Sequence, residues 1–585
     1  MVNIQEKIWN EKYGLILVSI FCFIVHMVLS NQFVGWFCGD IQGYWSHAAT
    51  LTGLDWSGVL KDFKFYYSWG YSIPLLIPFL LSSDVLVMYK IAIVINALFC
   101  VGILNVSYFL TRKLYPSMHI IFALLFSLSI SVYTSVLFMS TSSLAECFLY
   151  LFIYLNLFFL YKYIEQNSIG NAILVSSSVG FTYIIHNRAI GVIVAYCLVV
   201  ILISVSKKSI KEFASLTLPL IFILIIGEVV TSHLQFLEKD GGSYTVNTYE
   251  KVSTSVRAKF STIVYGINSF VQNIIGASWY SLMSTFLIAG FGIINIFKNV
   301  RDSLYIKDKK VFFYLFILLS VIFSFAVSAL YCIQGETADR ARIDTIFYGR
   351  YVDMLVIVLL LFGEYELYHL KSNLNSWNEV IAICLFAIFA SVEVYYLVNA
   401  FDNNVMNAHG VPGVLMTNFW PKRDFSVIGT FLMSVSIGLF AIFQMLQKKC
   451  LNKIIATLWI ILNFILIGYN LTYVMSTAYK DAAEVINFPL NNKEFVEVFN
   501  YIKANKYEDI FILSNEPLEA MSYQVTLPKE HFISMIDEEP DLSEIDFKDL
   551  VVFSKLLMPP EYEIKLSESL ELLITNDRYS IYRMK

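Results

Sequence analysis

Residues 13–48 read Y-G-L-I-L-V-S-I-F-C-F-I-V-H-M-V-L-S and then N-Q-F-V-G-W-F-C-G-D-I-Q-G-Y-W-S-H-A. At about 1.5 Å of rise per residue, the first part is long enough for a helix through most of a hydrocarbon core of about 30 Å. No small-residue cleavage site follows it, and Trp36 and Phe37 fill that place, so the run reads as a retained anchor and not as a removable signal. The second part delivers one carboxylate, Asp40, with Gly39 and Gly43 on either side and aromatic residues around it. A spanning helix followed by an acidic, glycine- and aromatic-rich loop predicts chemistry at the membrane surface.

Runs of the same kind recur through the first four-fifths of the chain. They fall near 13–30, 86–110, 118–138, 144–163, 171–186, 189–205, 214–233, 276–297, 311–332, 351–370, 379–400, 425–446 and 454–475, about thirteen in all. The composition agrees, because 585 residues at 57% hydrophobic, 16% aromatic and 15% charged, with mean hydropathy +0.64, are too apolar for a water-soluble enzyme. A formal charge of −5 carries no nucleic-acid footprint. That charge is unevenly divided: from Asp481 onward there are 10 Lys/Arg against 21 Asp/Glu, leaving 31 against 25 before it. The expected organisation is therefore a membrane body over 1–480 and a soluble, acidic unit over 481–585.

Lys and Arg in the short connections set the orientation. Lys7 and Lys12, Arg112 and Lys113, Lys162, Lys207 to Lys211, Lys298 to Lys310, Lys371 and Lys448 to Lys453 all fall on one side of this threading, which is then cytoplasmic together with the N-terminus. The other side receives the longer loops 31–68, 234–275, 333–350 and 401–424. An odd span count places the tail outside as well, in the plasma membrane of a cell with an envelope beyond it. Asn492–Asn505 reads as an amphipathic helix, and Asp509–Leu513, Asp549–Phe553 and Arg578–Tyr582 as short strands, which makes the tail a small extracytoplasmic α/β domain. The eight cysteines are scattered without a C-x-x-C pair and read as small core residues, and His26 as a packing residue. Glu228 and Glu393 fall inside spans and receive no role from the sequence.

Candidate site residues gather at the outer level. Asp40 fits a general base for an acceptor hydroxyl, a holder of a divalent cation against a phosphate, or a plain helix cap within an aromatic belt. Gly39 and Gly43 would let backbone approach a ligand, while Tyr44, Trp45, Tyr66, Tyr67, Trp69 and Tyr71 suit both an interface and a sugar. Glu146, in S-S-L-A-E-C, begins a span, where a lone ionised group costs roughly 2.5–3.5 kcal/mol, so it needs a partner or a cavity. Positive charge at the outer level runs against the usual bias: His186-Asn187-Arg188 at a hairpin turn, Arg340, Arg342 and Arg350 in D-R-A-R-I-D-T-I-F-Y-G-R-Y-V-D, and Lys422 and Arg423. Arginine's rigid donor fork suits phosphate oxygens, so Arg188 and Arg350 are expected to bind one. Tyr348 and Tyr351 are expected about the Arg350 guanidinium, and Arg340 and Arg342 in loop pairs with Glu336, Asp339, Asp344 and Asp353.

In this order the motifs resemble the GT-C superfamily of polytopic glycosyltransferases, which includes protein O-mannosyltransferases and lipid A aminoarabinose transferases. G-D-I-Q-G-Y-W resembles its acidic first-loop motif, W-G-Y-S-I-P-L-L its aromatic segment before the second spanning helix, and S-S-L-A-E its helix start with a Glu. H-N-R-A-I-G resembles its outer His/Arg turn and F-Y-G-R-Y-V-D a Gly-Arg-Tyr segment of bacterial relatives. The resemblance implies a GT-C-like α-helical polytopic fold and an inverting sugar transfer from a polyprenyl-phosphate-linked donor to a lipid-linked, polysaccharide or protein acceptor at the outer face. Asp40 and Glu146 would be catalytic, with Arg188, Arg350, His186 and Tyr351 about the donor phosphate and Tyr44, Trp69 and Tyr71 about the substrate. Many members carry a second acidic residue after the first-loop Asp, whereas Ile41 stands here, so a Mg or Mn ion, with Asp40 as its ligand if any, remains an open expectation. The competing class is a transporter or flippase of a lipid-linked glycan, which would place its ionisable residues near the bilayer midplane.

Overall fold

The structure, a computed structural model, describes residues 2–31, 39–60, 67–238, 267–332, 346–369, 374–399, 492–515, 517–535 and 548–585, with isolated positions between them. The span at 425–446, all but isolated positions of 454–475, loop 401–424, Tyr66, Arg340, Arg342, Lys422 and Arg423 lie outside the described residues.

The membrane body is built of α1 (Val2–Asn31), α2 (Gly39–Leu51), α3 (Ser57–Leu60), α4 (Ser72–Leu81), α5 (Val85–Leu114), α6 (Ile120–Ser131), α7 (Thr134–Ser140) and α8 (Glu146–Glu165). It continues through α9 (Ile169–Ile185), α10 (Ile190–Lys207), α11 (Ile210–Glu238), α12 (Ile267–Ser284), α13 (Ile288–Tyr305), α14 (Val311–Cys332), α15 (Asp353–His369) and α16 (Leu374–Asn399). Among the described residues, seven helices are long and apolar enough to cross a membrane, and up to nine if each of two bent pairs is one span. The chain is thus an α-helical, multi-pass membrane protein.

Both bent pairs correct the continuous spans read from hydropathy, which counts apolar residues but not breaks. The run 118–138 is α6 and α7, bent by 55°. His26 of α1 sits at that break, its Nε2 3.1 Å from the Ser131 carbonyl and its Nδ1 2.7 Å from Ser140 Oγ, so a buried imidazole satisfies polar groups on both arms. The run 276–297 is α12 and α13, bent by 107°. Phe286 and Leu287 turn the chain there with φ of 49° and 65°, in the left-handed region. The runs 171–186 and 351–370 are realised as α9 and α15, each 17 residues long.

The lysine-rich connections meet at one end of the body. Arg112 Nε lies 3.0 Å from Glu11, Lys113 Nζ 3.2 Å from Glu165, Lys309 Nζ 3.2 Å from the Glu165 carbonyl, and Lys298 Nζ 2.7 Å from both Glu366 and Glu379. The other end carries α2, α3 and the C-terminal unit. That unit contains α17 (Lys493–Ala504), β1 (Ile510–Leu513), α18 (Pro517–Thr526), β2 (Phe532–Met535), β3 (Leu550–Ser554), α19 (Pro560–Ser569), β4 (Leu570–Thr575) and β5 (Tyr579–Met584). Asn492 caps α17 by accepting from Phe495 N at 2.9 Å, and the helix buries Phe495, Val498 and Ile502 at helical spacing. The sheet order is β2-β1-β3-β5-β4, with β1 parallel to β2 and β3, and β5 antiparallel to β3 and β4. All positions of β1 and β3 are buried, which explains their unbroken apolar sequence. The sheet unit rests on the membrane body: Trp56 Nε1 donates to the Pro528 carbonyl at 3.0 Å, and Gln42 Nε2 to Ser522 Oγ at 3.4 Å.

Candidate active site

Four helix ends bring the predicted charges together. The first turn of α2 carries Asp40, the start of α8 carries Glu146, the single 3-10 turn Asn187–Ala189 before α10 carries Arg188, and the turn Gly349–Tyr351 before α15 carries Arg350. Two glycines make this possible. A Cβ on Gly349 would run into the ring of Tyr280, so only glycine lets the Arg350 turn settle there. A Cβ on Gly43 would overlap the ring of Tyr67, so Gly43 admits a tyrosine against α2 where the sequence suggested a ligand.

The result is a continuous chain of ion pairs. Arg350 Nη1 donates to Asp40 Oδ2 at 2.6 Å, and its Nε donates to Glu146 Oε1 at 2.5 Å. Arg188 Nη2 donates to the same Glu146 oxygen at 3.0 Å. Tyr67 closes the open end, its hydroxyl donating to Asp40 Oδ1 at 2.7 Å. Exposure falls along the chain, from 30% for the Asp40 side chain through 11% for Arg350 to 0% for Glu146 and 2% for Arg188. Asp40 is therefore the carboxylate an incoming molecule reaches first. Burial works against charge on Arg350, but Glu146 and Asp40 on either side hold its guanidinium firmly protonated.

The inner end is incompletely satisfied. Among the described residues, Glu146 Oε2 and the Nε and Nη1 of Arg188 are buried without hydrogen-bond partners. Arginine stays charged and offers five N–H donors, so two idle nitrogens in a buried guanidinium are a site for an oxyanion. The Tyr351 ring lies 5.9 Å from the Arg188 guanidinium carbon. Tyr351 also stacks on Tyr331 at 5.9 Å between ring centroids and lies near the charges of both Arg350 and Arg188. His186 turns back on its own loop, with Nδ1 3.1 Å from Asn187 Oδ1 and 3.3 Å from Arg188 N. Burial first, and the neighbouring Arg188 charge next, push its protonation well below the ordinary histidine range, so the ring is neutral.

Several assignments change. Tyr44 and Tyr71 are fully buried, packed edge-to-face at 5.4 Å, and Tyr71 donates to Asn96 Oδ1 at 3.0 Å. They form the wall behind Asp40, and neither offers a surface to a substrate. Trp69 donates to the Gly227 carbonyl at 3.2 Å and faces a separate cavity between α9, α10 and α11. Asp353 makes no loop ion pair among the described residues; it accepts from Ser135 Oγ at 2.6 Å and from the Tyr280 hydroxyl at 2.8 Å.

Sequence reasoning missed the pair that steadies Tyr67. His47 Nδ1 lies 2.6 Å from Glu238 Oε1 at the end of α11, and His47 Nε2 donates to the Tyr67 carbonyl at 2.8 Å. Burial opposes a charged His47, but the Glu238 carboxylate and the two hydrogen bonds outweigh it and raise its pKa above 6.5. Glu238 thus holds His47, His47 holds the Tyr67 backbone, and the Tyr67 hydroxyl holds Asp40.

A divalent cation would need converging ligands, and among the described residues no three His, Cys, Asp or Glu side chains provide them. Arg350 occupies the space between Asp40 and Glu146 where a shared ion would sit, so the donor set does not fit a metal held by these two carboxylates.

No protein-family model matches the chain, and no curated protein matches it. Among solved structures it is similar to ArnT from Cupriavidus metallidurans, determined bound to undecaprenyl phosphate and in the apo state, at 12% identity over 97% of both chains with a TM-score of 0.49. It is also similar to the archaeal oligosaccharyltransferase AglB from Archaeoglobus fulgidus, in complex with an inhibitory peptide and a dolichol-phosphate. That likeness has 11% identity, covers 93% of this chain and 70% of the other, and has a TM-score of 0.40.

Proposed function

We propose that the chain is a glycosyltransferase of the GT-C type, transferring a sugar from a polyprenyl-phosphate-linked donor to a hydroxyl of a cell-envelope acceptor. The observation that carries this reading is the buried Arg188, with two donor nitrogens unpartnered among the described residues, in one ion-paired chain with the partly exposed Asp40. An anion-binding position and a reachable carboxylate, linked through Arg350 and Glu146, are the two groups such a transfer requires. The site-bearing end faces outward from the plasma membrane, and the lysine-rich end and N-terminus face the cytoplasm.

Asp40 removes the proton of the acceptor hydroxyl, whose oxygen attacks the anomeric carbon. The bond from that carbon to the phosphate oxygen breaks with its electron pair, leaving polyprenyl phosphate and inverting the anomeric centre. Charge growing on the leaving phosphate meets Arg188 and Arg350 in a buried setting, where fixed donors count for most. The neutral His186, two residues before Arg188, lines the same phosphate position, and Tyr351 packs against the Arg188 guanidinium. Glu146 keeps both guanidiniums aligned. No step needs a divalent cation.

The test is an assay of purified protein with a panel of polyprenyl-phosphate sugars and envelope acceptors. Asp40→Asn should lower kcat by about 10²–10⁴-fold, the usual contribution of a general base, while EDTA leaves wild-type transfer unchanged. Retained transfer in Asp40→Asn would remove Asp40 from the base role. Lipid translocation without transfer would replace the reading with a flippase.

A further inference from the structure

Glu228, which the proposed reaction does not use, lines a cavity of about 440 Å³ between α9, α10 and α11. The cavity is graded along the membrane normal. Along α11, Thr231 and Gln235 line it on the outer side of Glu228 and Leu224 on the inner side, while Asn187 and Ile190 line it at the outer start of α10 and Ile193 lies a turn deeper. Helix α11 starts at Ile210 beside the lysine-rich end, and at about 1.5 Å per residue Glu228 stands about 27 Å along it. With a hydrocarbon layer of about 30 Å, that places Glu228 in the outer part of the layer, below the lipid head groups, and Leu224 lies one turn deeper. Among the described residues the Glu228 carboxylate has no hydrogen-bond or ion-pair partner.

We infer that this groove binds a membrane lipid whose head group carries a protonated primary amine. The shape is that of a lipid, polar above and apolar below. A carboxylate just below the head groups, with no partner among the described residues, selects a cation and repels an anionic head, so the phosphate-bearing donor belongs at Arg188 and not here. The indole of Trp69 and the phenol ring of Tyr183 line the same cavity as the carboxylate and supply ring faces for an ammonium group. The acyl chain would run inward past Ile193 and Leu224. Asn187, one residue before Arg188, lines this groove as well. The inference concerns binding and stands apart from the transfer reaction.

The test reconstitutes the full-length protein in vesicles of equal phosphatidylethanolamine, phosphatidylcholine and phosphatidylglycerol, extracts it gently and counts the retained lipids by native mass spectrometry. Wild type should retain phosphatidylethanolamine preferentially. Glu228→Gln should lower that preference about tenfold or more, the scale of a lost hydrogen bond to a charged group. Leu224→Trp, which fills the apolar end, should lower its retention while leaving Glu228 in place. Free ethanolamine at millimolar concentration should not displace the lipid; displacement would show a soluble-amine site and overturn the lipid part. Preference for phosphatidylcholine would overturn the primary amine. Equal retention of phosphatidylglycerol, or an unchanged preference in Glu228→Gln, would overturn the site.

Discussion

Both ends of the helical body are laced with ion pairs, yet the two sets differ in kind. At the lysine-rich end, Lys113 and Glu165 pair at 3.2 Å with 38% and 37% of their side chains exposed, and Arg112 with Glu11 is less open, at 23% and 28%. At the opposite end, one fully buried carboxylate, Glu146, is shared by two arginines from two different turns, and Arg350 extends the chain to Asp40. Open pairs cost little to form and are screened by water and salt. Buried, shared and partly unsatisfied charges are expensive to keep, and a protein retains them where the charge has work to do. The first set reports topology and the second reports chemistry.

Removing the centre of the buried set is the strongest way to break this contrast. Arg350→Ala leaves Asp40 without its cation and Glu146 with Arg188 alone, in a place where the lost partner is not replaced by water. Breaking a buried pair by deleting one member typically costs about 3–5 kcal/mol, so the variant should show a lower thermal midpoint and no measurable transfer. Arg350→Lys separates the two losses. It restores charge without the fork that reaches Asp40 and Glu146 together, and should recover part of the stability and little of the activity. Equal recovery of both would show that charge alone, and not the bridging geometry, is what the site needs.

His47 gives a smaller effect with a definite sign. Its folded pKa is raised above 6.5, so the His47–Glu238 contribution is complete below about 6.5, the unfolded value, and is lost as pH rises through the raised folded value. Wild type should therefore lose thermal stability toward alkaline pH, and transfer should weaken alongside as Tyr67 loosens its hold on Asp40. His47→Gln can still donate to the Tyr67 carbonyl but does not titrate. It should be less stable by about 1.5–3 kcal/mol at acidic pH, the scale of a hydrogen bond to a charged group, with a flatter pH profile. A variant that keeps the wild-type alkaline decline would assign that decline to another group.

What the sequence disclosed, and what it hid, divide along the same line. Asp40, Glu146, Arg188 and Arg350 stood out because each violates a rule of membrane sequences: carboxylates at the bilayer boundary, or arginines on the side that should lack them. Rule-breaking is visible one residue at a time. His47 and Glu238 were not visible, because their pairing joins positions 191 residues apart and neither is unusual where it stands. Hydropathy located most spans but passed over the breaks at Val132–Tyr133 and Phe286–Leu287, since apolar residues continue through both. In the tail, β1, β3 and β5 announced themselves as short apolar runs, whereas β4 is largely exposed. The contact of Tyr351 with Arg188 depends on how two turns meet, which no spacing encodes.

The smallest effect belongs to the open pairs, and it tests the comparison from the other side. Lys113→Ala removes one partner of Glu165, which sits at the surface and can be hydrated in its place. Exposed pairs contribute about 0.2–1 kcal/mol, so the thermal midpoint should move by a degree or two at most, and raising salt should erase the difference. Transfer should be unchanged, because the pair lies at the far end of α8 from Glu146, some 28 Å away at about 1.5 Å per residue along the helix. A double-mutant cycle with Glu165→Ala measures the coupling directly. Coupling of several kcal/mol, or lost transfer in Lys113→Ala, would mean that the lysine-rich end also holds structure the reaction needs, and the division between topological and chemical charge would fail.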